Sequence, residues 1–219
     1  FMNLQELDWL WPSILNQTKN PSLEIQLAAI KASPENIQFI ESPDEEAQML
    51  AVARDKYSIS YIKNPSFAVQ SAAVCGGGSV IRYIVDPCEK IQMIAVNNDW
   101  ESIRYIKNPT EEVQKISIKK NPWAIRCIKN PNPEIQLLAV KIAGWIIEYL
   151  QQPTVETQLE SVRHSPWNIR FIENPDKQVR LLAIELDPRV IFHLPNINEE
   201  EMRLAVDINP TMNNELLSQ

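Results

Sequence analysis

Eight prolines of this chain stand in one phase. Pro21, Pro43, Pro65, Pro87, Pro109, Pro131, Pro153 and Pro175 follow one another at intervals of 22 residues. Proline removes a backbone donor and clashes with the preceding turn, so prolines at this interval forbid long helices and permit short, punctuated ones. Two more columns keep step. A glutamine follows five residues after the first seven of these prolines (Gln26, Gln48, Gln70, Gln92, Gln114, Gln136, Gln158). Isoleucine fills the third: Ile37, Ile59, Ile81, Ile103, Ile125, Ile147, Ile169 and Ile191. A fixed period of this length signals stacked supersecondary units.

One unit reads Asn-Pro-x-x-x-Ile/Val-Gln-x-x-Ala-Val, a polar joint, then x-Ile-x-Tyr-Ile-Lys. The first part predicts a helix of about ten residues with an apolar stripe. Asn20 as N-cap and Pro21 at N1 is a favoured start. Asp44, Glu45, Glu46, Glu111 and Glu112 crowd first turns, where the helix dipole favours anions. Ile25, Ala28 and Ala29 form the inward stripe. The second part opens with Pro34, Pro122, Pro166 or Pro188 and carries residues such as Ile37, Phe39 and Ile40. A two-turn α-helix and a 3₁₀ helix both fit it. Segments this short do not persist alone, so neighbours must stabilise one another. Small residues where helices approach (Ala29, Ala51, Ala73, Ala95, Ser117, Ala139, Ser161, Ala183, Ala205) suit such stacking.

The expected fold is therefore all-α, an α-solenoid or superhelix of about nine two-helix repeats, with the second helix short or 3₁₀. The repeats span 20–208. Residues 1–19 hold half a unit and read as an N-terminal cap, with Trp9 and Trp11 over the first core face and Pro12 and Leu15 in register. Residues 209–219 read as a C-terminal cap or tail. The columns fade there: Arg180 and Met202 replace glutamine, and Ile197 replaces proline.

The stretches Asn64 to Val74 and Asn130 to Val140 resemble a 22-residue repeat of unknown function from bacterial and bacteriophage proteins, with a consensus near NPSxEVQLxAV. More distantly they resemble the leucine-rich repeat variant, which pairs an α-helix with a 3₁₀ helix. The likeness covers about 20–208. It implies the architecture and, from the phage setting, a viral protein that binds and inhibits a host factor, such as one of host defence. It implies no activity.

The bulk numbers narrow the function further. A net charge of −7 disfavours polyanionic partners. No run approaches the roughly 20 apolar residues of a membrane span. Three cysteines without metal spacing read as free thiols in a reducing compartment, the cytoplasm of the cell or of an infected host. Gly76-Gly77-Gly78 lacks the Lys-Ser/Thr of a phosphate loop and is expected to loosen a joint between repeats. His164 and His193 are the only histidines. Neither has the setting of a metal pair or a catalytic base, and His193, in an aromatic column, is expected to be a packed ring. The reading assigns no catalytic residue, no metal and no cofactor.

A protein partner is the leading expectation. Trp123, Trp145 and Trp167 fill one column in successive repeats, with Trp100 one position off. They fall two residues before the inward isoleucine, which turns them sideways or outward. Arg82, Arg104, Arg126 and Arg170 form a second column, broken by Glu148. Together these predict a partner surface, against the alternatives of rings closing a thin core and arginines paired with carboxylates. The glutamines predict amide bridges to the adjacent repeat, or else a strip of contact residues. Thr157 and Glu160 break the inward pattern and predict a rotated helix or a donor beside Glu160. Nucleic-acid binding through the arginines, or mimicry through Asp44-Glu45-Glu46 and Glu199-Glu200-Glu201, is the second reading. Capture of a small ligand or nucleotide is the third.

Overall fold

The computed structural model describes residues 10–212 of the chain, so Trp9 and the tail beyond Met212 lie outside the described residues. Among these, every regular element is helical. The chain alternates ten-residue α-helices with six-residue 3₁₀ helices, an all-α solenoid-type repeat. After α1 (Trp11–Gln17) come α2 (Leu23–Ala32), α3 (Glu45–Arg54), α4 (Phe67–Gly76), α5 (Glu89–Asn98) and α6 (Glu111–Lys120). Then follow α7 (Pro133–Ile142), α8 (Val155–His164), α9 (Lys177–Leu186) and α10 (Glu199–Ile208). The 3₁₀ helices are Pro34–Phe39, Lys56–Tyr61, Gly78–Tyr83, Trp100–Tyr105, Pro122–Cys127, Gly144–Tyr149, Pro166–Phe171 and Pro188–His193.

The two lengths match. Ten α residues rise roughly 15 Å and six 3₁₀ residues roughly 12 Å, so both legs of a repeat are nearly equal. A single extended residue joins them, such as Asp55 at φ −144°, ψ 109°. Where that residue is Asp or Asn its side chain accepts the N–H two residues on: Asp55 from Tyr57, Asp99 from Glu101, Asn121 from Trp123 and Asp187 from Arg189, at 3.0–3.1 Å. This local bond starts the tighter helix.

The α-helices begin two residues later than the Asn-Pro signal predicts. Ser22, not Asn20, precedes α2, and the matching positions are Asp44, Ser66, Cys88, Asn132, Thr154, Asp176 and Asn198. Asn132 accepts from Ile135 N–H at 2.9 Å, and Asn198 with Glu201 closes a capping box. The residue before the proline instead turns the chain: Asn64, Asp86, Asn130 and Gln152, with Asn196 before Ile197, have φ of 47–52°. Asparagine suits either task, since its short amide caps helices and also tolerates the left-handed region.

The chain forms two compact units, one up to Ser117 and one from Ile118. Each has the same interior. The small-residue column from Ala29 to Ala205 is 0% exposed throughout, and the isoleucine column from Ile37 to Ile191 stays at 3% or less. A second apolar row (Ile40, Ile62, Ile84, Ile106, Ile128, Ile172, Leu194) closes the interior at 5–7%. Trp11 and Leu15 are buried at the start of the first unit.

The glutamines act mainly within their own repeat. Each of the seven donates Nε2 to the carbonyl of the proline five residues earlier, at 2.8–3.0 Å. The expected bridge to the next repeat occurs at Gln26, whose Oε1 accepts Asp44 N–H at 2.9 Å, and at Gln158, which accepts Asp176 N–H at 3.2 Å.

At two irregular places the structure decides between expectations or corrects them: Glu160 has its donor on an unrotated helix, and the glycine run is tightly packed. α8 is not rotated: Thr157 is fully buried, its hydroxyl satisfied by Thr154 at 3.0 Å, while Glu160 keeps 26% exposure and pairs with Arg163 at 3.5 Å. Its column is half-buried in every repeat, so the carboxylate still reaches water. The glycine run does not act as a loose joint. A Cβ on Gly78 would lie 2.3 Å from the Ala95 carbonyl oxygen and 2.4 Å from Ser102 Oγ. Close packing of the next repeat requires the missing side chain.

Candidate functional site: rings and guanidinium groups on the 3₁₀ helices

With three residues per turn, side chains at i and i+3 of a 3₁₀ helix eclipse one another. The second and fifth residues of each six-residue helix therefore share one outward row. The tryptophan column occupies the second position and the arginine column the fifth. Their stacking follows from the tighter helix, which sequence periodicity alone left undecided.

In the first unit the exposed rings of the 3₁₀ helices are tyrosines. Tyr57, Tyr61, Tyr83 and Tyr105 are 38–44% exposed. Arg82 lies over Tyr83 and Tyr105, its guanidinium carbon 5.3 and 4.8 Å from the ring centres. Tyr57 and Tyr83 meet edge to face at 6.4 Å. Lys56 sits 5.4 Å above Tyr57 and donates to Gly76 O at 3.1 Å. Arg104 pairs with Glu101 at 3.1 Å. Trp100 opens its helix one position earlier than the other tryptophans and is half-buried.

The second unit gathers the larger cluster. Trp123 and Trp145 have ring centres 4.9 Å apart, and Tyr149 lies 5.2 Å from Trp123 and 6.4 Å from Trp145. All three rings remain 37–38% exposed. Arg126 covers Trp123 at 5.1 Å and Tyr149 at 4.9 Å. Cation–π contacts of this kind hold a guanidinium plane in place without using its N–H donors. Beside the cluster runs a groove of about 690 Å³, floored by Ile125 and Ile128 and rimmed by Lys129, Asn130, Gln151 and Gln152.

Trp167 stands apart from the other two. Its indole N–H donates to Asp187 Oδ2 at 3.2 Å, and its ring meets His193 edge-on at 5.3 Å. His193 is thus packed against Trp167, as its column predicts, but on the exposed surface. Arg189 forks onto Asp187 at 2.9 and 2.8 Å and holds that carboxyl below the usual carboxylate range, with the Trp167 bond a lesser cause. Arg170 stacks on Phe171 at 4.6 Å.

The tyrosines carry no functional signal in the sequence. Tyr61, Tyr83, Tyr105 and Tyr149 were visible as a column, but a residue that belongs to the repeat consensus looks structural. Among the described residues, no three His, Cys, Asp or Glu side chains gather into a metal-type cluster, and no helix is long and apolar enough to cross a membrane. Cys75, Cys88 and Cys127 are free thiols. Comparison with protein-family models, with curated proteins and with solved structures finds no match to this chain.

Proposed function

We propose that this chain is a non-enzymatic binding scaffold whose partner is a protein. One observation carries the reading: Trp123, Trp145 and Tyr149 touch one another while each keeps over a third of its surface in water, with Arg126 laid across two of them. Nearly two-thirds of each ring is buried by this packing, and the third left in water is apolar surface that a partner can cover. Tryptophan, tyrosine and arginine are also the residues that dominate protein-binding hot spots. The resemblance to phage repeats extends the proposal: the partner is a host protein, which the scaffold inhibits or bridges.

The test compares capture by the immobilised wild-type chain and by a Trp123→Ala/Trp145→Ala variant, with a bacterial lysate as source and thermal melting as the control for folding. A captured protein lost from the variant, with melting preserved, supports the reading. Equal capture by both chains, or none by either, removes it. Capture of nucleic acid that collapses with rising salt would favour the second reading instead.

A further inference from the structure

We infer that the groove beside the aromatic cluster receives an extended acidic segment of the partner polypeptide. This rests on the protein-binding reading and adds the chemistry of what is bound. The groove carries two cations, Arg126 and Lys129, and no carboxylate among its lining residues, in a chain whose net charge is −7. Neither cation has a carboxylate partner among the described residues. Arg126 is already oriented by Trp123 and Tyr149, so binding a carboxylate costs it little side-chain entropy. Asn130, Gln151 and Gln152 supply amides, each able to donate to and accept from a peptide backbone. Ile125 and Ile128, nearly buried, make the floor apolar, and the Tyr149 ring lines it with exposed surface.

The charge count favours a peptide over a nucleic-acid backbone. Two cations neutralise one or two carboxylates, whereas backbone binding draws its affinity from many phosphate contacts. The groove at the equivalent place in the first unit, about 550 Å³, has Ser60 where the second has Arg126 and retains only Lys63. The acidic segment should therefore select the second unit.

The experiment measures anisotropy of labelled, capped nonapeptides that alternate Glu with Leu, the same peptides with Gln for Glu, and a ten-residue thymidine oligonucleotide. The acidic peptide should bind at least tenfold more tightly than its Gln counterpart. Lys129→Glu, at a residue that touches no ring, should weaken it at least tenfold. Trp145→Ala, outside the groove, should change it less than threefold. Equal binding of Glu and Gln peptides, indifference to Lys129→Glu, or tighter binding of the oligonucleotide overturns the inference. Loss of partner capture in the tryptophan variant without any acidic-peptide binding would sink the groove and leave the protein-binding reading intact. Peptide binding with capture unaffected by the tryptophans would keep the groove and remove the aromatic cluster from the binding surface.

Discussion

Arg180 grips Glu201 with two parallel bonds, Nε to Oε1 at 2.5 Å and Nη2 to Oε2 at 2.8 Å, and its Nη2 also reaches Pro195 O at 3.0 Å. Both residues break the repeat at once. Glu201 occupies the inward column that holds Val69, Ile91, Val113, Ile135 and Val179, and is 1% exposed. Arg180 occupies the glutamine column one repeat earlier. A carboxylate in that apolar column is tolerable only with a partner, and the substituted glutamine position provides it.

Breaking the pair from either side should therefore be costly, and removing both should not. Glu201→Val or Arg180→Gln alone should destabilise the second unit by about 3 kcal/mol, since each leaves a charge without its partner. The double variant restores the common residue types of both columns and should be no less stable than wild type. Chemical denaturation of the four proteins, read as a double-mutant cycle, measures the coupling. A coupling near zero would contradict this account.

The same pair gives a signed pH dependence. Bonds from Arg180, chiefly, hold the Glu201 carboxyl below its ordinary value of 4.5. A carboxyl lowered in the folded state adds stability that is fully present above its unfolded value and is lost as pH falls through the folded one. The wild type should accordingly lose stability below about pH 4.5 more steeply than the double variant. The lowered carboxyl of Asp187, unchanged in both, cancels in that comparison. Melting midpoints between pH 3 and 7, roughly one every half unit, would show parallel curves if the pair contributed nothing.

Glycines in the first position of a 3₁₀ helix should resist substitution. A Cβ on Gly144 would lie 2.4 Å from His164 Cβ and 2.9 Å from Asn168 Nδ2, and the one on Gly78 would meet the Ala95 carbonyl. Gly78→Ala and Gly144→Ala should each cost about 1–3 kcal/mol by overpacking. Gly77→Ala meets only the flexible Lys56 side chain and should cost less than about 1 kcal/mol. Urea midpoints that rank Gly77 as the most damaging site would refute the close-packing argument.

Two serines in the alanine column should respond in opposite directions. Ser161 Oγ donates to Gly144 O at 2.8 Å, while the buried Ser117 hydroxyl has no partner. Ser117→Ala should stabilise by about 1 kcal/mol, because an unpaired buried hydroxyl is removed. Ser161→Ala should cost about 1 kcal/mol, because the Gly144 carbonyl loses its donor. Hydrogen exchange or calorimetry on the single variants separates them.

Much of the fold was legible because burial repeats with the sequence. The Ile37 to Ile191 and Ala29 to Ala205 columns point inward as their period requires. The 3₁₀ form was not legible, since a six-residue apolar pattern fits either helix, and with it went the eclipsed row that stacks Arg126 on Trp123. The helix starts were misplaced because asparagine before proline is chemically suited both to cap and to turn. The Arg180–Glu201 exchange could have been read, had the two columns been compared across neighbouring repeats. One column at a time, Arg180 looks like decay of the glutamine ladder and Glu201 like one more member of an acidic run. At the candidate site Trp123 and Trp145 come together, and Tyr149, the ring that joins them under Arg126, was hidden by its own regularity.

The Gln-to-proline latch spans only five residues, so this bond lies wholly within one repeat. What passes from one repeat to the next is chiefly a strip of alanine and isoleucine, with polar ties only at places such as Ser161 to Gly144 O and Asp176 N–H to Gln158. A gene encoding such modules can gain or lose one by unequal exchange most cheaply at a seam that lacks such ties. The length of a chain like this is thus free to drift under selection for the reach of its binding surface.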